Sequence, residues 1–222
     1  MEAGNQAKGG VTLQQLNDGR AYSEEILKGL TAGVSHFHAV QYMKDQLAAG
    51  GFEEIKEIEK WSLVPGKAYY FTRNQSTIVA FTLGNKVTTD GVDLFKIIGC
   101  HTDSPVLKLA PHSKVDNKCG FQQMNIQCYG GGLWRTWFDR DLGLAGKVIL
   151  QQKDGKLTSK LWDSKGAVMS IPSLCIHLDT ERDKFNPNKE THLKPILATN
   201  AVDQLFGESC KPKEGSPDIF NI

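Results

Sequence analysis

Five of the seven residues from Leu94 to Cys100 are apolar (Leu94, Phe95, Ile97, Ile98, Cys100), and the run closes on His101-Thr102-Asp103-Ser104-Pro105. A short apolar run closed by polar residues predicts a buried strand that delivers its C-terminal end to a site. Upstream, the spacing is helical. Tyr22, Ile26, Leu27 and Leu30 share one face of a first helix, with Thr12 and Gln15 as a capping box and Gly29 and Gly33 helping to end it. Ser35 caps a second helix whose buried face carries Val40, Met43 and Leu47 and which Gly50-Gly51 closes. Such stripes predict core packing rather than cofactor contact. Ala68–Thr72 and Thr77–Leu83 flank a polar Arg73–Ser76 turn and predict a hairpin, followed by a loop over Gly84–Gly91.

After Pro105 the pattern changes to short strand-like segments: Val106–Leu109, Phe121–Cys128, Lys147–Gln151, Lys156–Trp162 and Ser173–Leu178. Turn residues separate them, as in a β-rich unit, and the next helical stripe falls at Ile196–Phe206. The expected organisation is an α/β portion over residues 1–105 and a β-rich portion over 106–222. No repeat of fixed period is evident.

Composition narrows the class. At 222 residues and 40% hydrophobic, the chain can bury a substantial core. Its 26 basic and 25 acidic side chains leave a net charge of +1, with no basic block that would point to nucleic acid or an anionic membrane. The expectation is no nucleic-acid partner and no membrane partner. Five cysteines (Cys100, Cys119, Cys128, Cys175, Cys210) form no C-x-x-C pair, which suits reduced thiols in the cytoplasm. The N-terminus lacks the apolar core of a signal peptide, and no run approaches the roughly 18 residues of a membrane span.

Several groups carry candidate chemistry. His101 with Asp103 two residues on suits a metal ligand whose ring is oriented by a carboxylate, although a strand-end histidine beside an Asp-Ser-Pro turn fits the same letters. Gly130-Gly131-Gly132 is not followed by the Gly-Lys-Ser/Thr of a phosphate loop and indicates close backbone approach instead. Trp134, Trp137 and Phe138 predict a core or a subunit contact. Asp139 and Asp141 around Arg140 read as a salt-bridged corner before an acid–base pair. Cys100 and His101, as strand neighbours, would face opposite sides and make a poor nucleophile–base couple. His177, in apolar company, reads by itself as a core histidine, and His38 and His192 as structural.

A resemblance then becomes visible. The segments Phe37-His38-Ala39-Val40, Phe71-Thr72-Arg73-Asn74, Gly99 to Pro105, Tyr129 to Trp134, Thr136 to Leu142, Ala145-Gly146 and His192 to Thr199 resemble, in order, the aspartyl aminopeptidase family of cocatalytic-zinc peptidases. One departure is Gly33-Val34-Ser35-His36, where relatives carry a Ser/Pro-rich turn. The resemblance implies release of N-terminal Asp or Glu from peptides, two zinc ions per complete site that polarise the scissile carbonyl and activate a water, and a glutamate general base. It implies His101 as a ligand of one zinc and Asp103 as its orienter. Residues 106–222 would be an inserted dimerisation domain of a homo-oligomer. From it, His177 would reach a neighbouring subunit's site and stabilise the tetrahedral substrate. The family's remaining ligands and its base lie beyond the matched region, so the chain is expected to be truncated and inactive by itself. The alternative is a non-catalytic assembly or binding module derived from an aminopeptidase.

Overall fold

The computed structural model describes residues 10–87, 94–115, 120–201 and 205. The first nine residues, part of the Gly84–Gly91 loop, Cys119, the end of the Ile196–Phe206 stretch and the tail from Cys210 lie outside the described residues. The chain forms two compact units, Met1–Asp103 and Ser104–Ile222. Helix and sheet are mixed, as the pattern leads one to expect.

In the first unit, α1 (Leu13–Ala32) starts on the expected capping box. The Gln15 N–H donates to Thr12 Oγ1 at 3.2 Å, and the Thr12 N–H donates to Gln15 Oε1 at 2.9 Å, which satisfies two amides that the first turn leaves without carbonyl partners. Gly33 caps the other end, its N–H donating to the Gly29 carbonyl. α2 (His36–Ala49) is capped by Ser35 and closed by Gly50. A Cβ on Gly29 would sit 3.4 Å from the Tyr42 ring, so the small residue sets how closely the helices approach. Val40 is buried, but Met43 is exposed and Leu47 only half-buried. The stripe Tyr22, Ile26, Leu27, Leu30 is formed yet exposed throughout, and α1 buries no residue.

The hairpin has its expected place. β1 (Glu53–Glu54) runs parallel to β2 (Ala68–Arg73), which pairs antiparallel with β3 (Thr77–Thr82). Asn74 and Gln75 turn the chain at φ 51° and 59°, and the Ser76 N–H donates to the Arg73 carbonyl at 3.0 Å. Tyr69 and Tyr70 are buried, and the Tyr69 hydroxyl accepts the Val64 N–H. Trp61 covers Phe71 and Phe81, with centroids 5.3 and 6.2 Å away.

The expected buried strand at Leu94–Cys100 is not seen. The segment belongs to no strand, and Leu94 is 73% and Ile98 95% exposed. A strand needs a neighbour to take its amides and carbonyls, and among the described residues none lies alongside this run. Apolar patterning identifies a segment that gains by burial without supplying what buries it.

The second unit contains β4 (Val106–Lys114), β5 (Phe121–Tyr129), a 3-10 turn at Trp134–Trp137, β6 (Asp141–Leu142), β7 (Ala145–Gln151), β8 (Leu157–Asp163), β9 (Met169–Ser170) and β10 (Ile196–Thr199). Five of these strands form an antiparallel sheet in the order β4-β5-β10-β9-β6, and β7 pairs with β8 as a separate hairpin. Trp134, Leu142, Ile171 and Leu193 form the buried centre, with Trp137 and Phe138 packed against it. Two expectations change. Ile196–Thr199 is a strand, and helix starts only at Asn200, because the four residues fit between β5 and β9 and their ladders override the local spacing. Ser173–Leu178 alternates like a strand but is irregular and ends in one turn, with Leu174, Ile176 and Leu178 facing solvent.

Candidate functional site

The segment ending in His101 is anchored by the residue that follows it. The Thr102 hydroxyl donates to the Ser76 carbonyl at 2.9 Å, tying the polar end of the run to the β2–β3 turn. On either side of that tether, His101 Nδ1 and Asp103 Oδ1 stand 2.9 Å apart. A carboxylate can only accept, so Nδ1 carries the proton and a neutral ring keeps its lone pair on Nε2. The imidazole is 90% exposed at its side chain and the carboxylate 31%, leaving Nε2 open. This is the arrangement in which an acid fixes the tautomer of a metal-binding histidine. The only trace of this anchor in the sequence is the hydroxyl placed between His101 and Asp103.

The pair fits one coordination position. A catalytic zinc takes about three protein ligands. Among the described residues no group of three or more His, Cys, Asp or Glu side chains is gathered to hold an ion. The described residues therefore do not complete a zinc site.

In the second unit His177 lies in a turn closed by the Leu178 N–H on the Cys175 carbonyl at 2.9 Å, and it is exposed. It is not a core histidine: Leu174, Ile176 and Leu178 supply apolar letters around it without enclosing it. His38 Nδ1 is 2.8 Å from the Ser35 hydroxyl within the cap of α2. His192 Nδ1 accepts the Asn188 N–H at 3.1 Å, a loop contact.

Gly130 and Gly132 have the steric origin expected of the run, and Gly131 faces open space. Gly130 has φ 77° and lies against Pro105, and a Cβ on Gly132 would come within 2.7 Å of the Trp134 ring. The corner at Asp139 and Asp141 is held by hydrogen bonds rather than by the expected salt bridge to Arg140. Asp139 has φ 54°, its N–H donates to the Ile171 carbonyl at 2.9 Å, and its Oδ1 accepts the Ser173 N–H at 2.8 Å. The Ser173 hydroxyl, then its backbone N–H, hold the Asp139 carboxyl below its ordinary range. Asp141 pairs with Ser170 in the β6–β9 ladder.

The family described as "Aminopeptidase I zinc metalloprotease (M18)" matches residues 30–218. The "Aspartyl aminopeptidase" of Dictyostelium discoideum is 40% identical over 208 residues, covering 90% of this chain, and that of Caenorhabditis elegans is 42% identical over 205 residues, covering 91%. The chain spans 42% of the length of either relative. Among solved structures, the "Cryo-EM structure of the Ape4 and Nbr1 complex" matches with TM-score 0.76 and 34% identity, over 87% of this chain and 36% of that one. The "Structure of S. cerevesiae mApe1 dodecamer" matches with TM-score 0.60 and 28% identity, over 69% and 36%. The chain thus belongs to the M18 family of zinc metallopeptidases.

Proposed function

We propose that this chain contributes part of an aspartyl aminopeptidase, an enzyme that removes N-terminal Asp or Glu from peptides in the cytoplasm. The observation that carries the reading is the His101–Asp103 contact at 2.9 Å, which frees Nε2 for one of two zinc ions. Residues 1–105 belong to the catalytic α/β domain. Residues 106–222 form the pairing domain of a homo-oligomer, a reading supported by the dodecamer among the similar structures. His177, exposed on its turn, donates a hydrogen bond to the substrate oxygen as it becomes tetrahedral in a neighbouring subunit's site. With one imidazole–carboxylate pair at its candidate site, the chain alone is inactive.

The test is release of Asp or Glu from a short peptide. The purified 222-residue chain with added zinc should release none, and measurable turnover would refute that inactivity. In a protein of the relatives' full length, His101→Ala should abolish turnover and lower zinc content. His177→Phe should cost roughly 10²–10³-fold in kcat with zinc content intact, the scale of one lost oxyanion donor.

A second reading is favoured by one observation, the exposed apolar run Leu94, Phe95, Ile97, Ile98. Such a run suits a non-catalytic assembly module that docks on longer family members. Failure to co-purify with a full-length aminopeptidase at micromolar concentration would count against it.

A further inference from the structure

The stretch Pro172–His192 leaves β9 and returns to β10 carrying His177, and the segment Arg135–Asp139 ties it down twice. At its root, Ile171 is buried against Trp134, Leu142 and Leu193. There Asp139 grips the main chain on both sides of Pro172, its N–H on the Ile171 carbonyl and its Oδ1 on the Ser173 N–H. Holding both at once places Asp139 at φ 54°, in the left-handed region that Asp and Asn tolerate better than other residues with a Cβ. Midway, Phe185 meets Phe138 edge-on, with centroids 5.1 Å apart at 90°, and the Arg135 guanidinium lies 5.8 Å from the Phe185 centroid. Between these ties Leu174, Ile176, His177 and Leu178 are exposed, so the turn takes its direction from its root.

We propose that Asp139 is the positioning residue for His177, fixing the root of its turn by the paired contacts to Ile171 and Ser173. This rests on the reading that His177 meets substrate. The carboxylate contact orders the main chain four residues before the imidazole, and the buried Ile171 transmits the register of the sheet to it.

Three substitutions separate the contributions. Asp139→Gly keeps the backbone conformation and loses the acceptor, Asp139→Asn keeps both, and Asp139→Ala loses both. In the full 222-residue chain, amide exchange at Ser173 should rise about tenfold in the Gly and Ala variants, the size of one charge-assisted hydrogen bond, and clearly less in Asn, whose neutral oxygen still accepts. Amides of β4 and β5 should be unchanged. The His177 ring resonance should move in the Gly variant and return in Asn. Wild-type exchange in Asp139→Gly, no rescue by Asn, or equal loss of protection across β4 and β5 would each overturn the proposal. None of these readouts needs turnover, so a flat rate in His177→Phe would strike the substrate role alone.

Discussion

The Thr102 hydroxyl donates to the Ser76 carbonyl at 2.9 Å, joining positions 26 residues apart. It makes the His101–Asp103 pair a fixture of the β2–β3 turn as well as of its own segment. Thr102→Val, nearly isosteric, should cost about 0.5–1.5 kcal/mol locally, the net worth of one such bond. Exchange at the residue 101–103 amides should rise, and Thr102→Ser should restore protection. If Val and Ser behave alike, the hydroxyl is not the anchor.

Gly132 faces the buried Trp134 ring, which a Cβ would approach to 2.7 Å. Gly132→Ala should therefore destabilise the second unit by about 1–3 kcal/mol, since a packed core yields poorly to added volume. Gly131→Ala, with open space around its Cβ position, serves as the control. Denaturant midpoints followed by tryptophan fluorescence would show the difference, and equal midpoints would mean that the indole simply moves aside.

Leu193 is fully buried beside Ile171, Leu142 and Trp134. Leu193→Ala should cost about 2–5 kcal/mol, the lost transfer energy plus the cavity left behind. The same unfolding experiment checks it, and a loss well below that range would show that the centre collapses to fill the gap.

The pH response of the corner has a definite sign. The Asp139 carboxyl is held below its ordinary value of 3.8, chiefly by the Ser173 hydroxyl and then by its N–H. A depressed folded value means stabilisation that is fully present above the unfolded pKa and lost as pH falls through the lower, folded one. The Ser173 amide resonance should thus be flat at neutral pH and titrate with a midpoint below 3.8. A midpoint at or above that value would mean the contact does not favour the charged form. Asp139→Asn should abolish the transition.

What could be read from the letters followed from how local each signal is. Thr12, Ser35, Gly33 and Gly50 act on amides and carbonyls within one turn, and both helices start and stop where these residues place them. The β2–β3 hairpin is equally local, and so is the approach of His101 to Asp103, with a single residue between them. Ile196–Thr199 failed as a helix because its partners β5 and β9 lie far away in sequence. His177 failed as a core residue for a related reason: apolar neighbours in sequence indicate burial only when something else covers them. The Asp139–Ser173 contact spans 34 residues, and no spacing rule announces it.

The bare side chains of Leu94, Phe95, Ile97 and Ile98 set the handling of the molecule in a tube. Attraction between such groups weakens on cooling and strengthens with kosmotropic salt. A concentrated sample should stay clear near ice temperature, cloud on warming or on addition of ammonium sulfate, and clear again in dilute urea. Polar replacements at Ile97 and Ile98 should widen the range over which light scattering stays low.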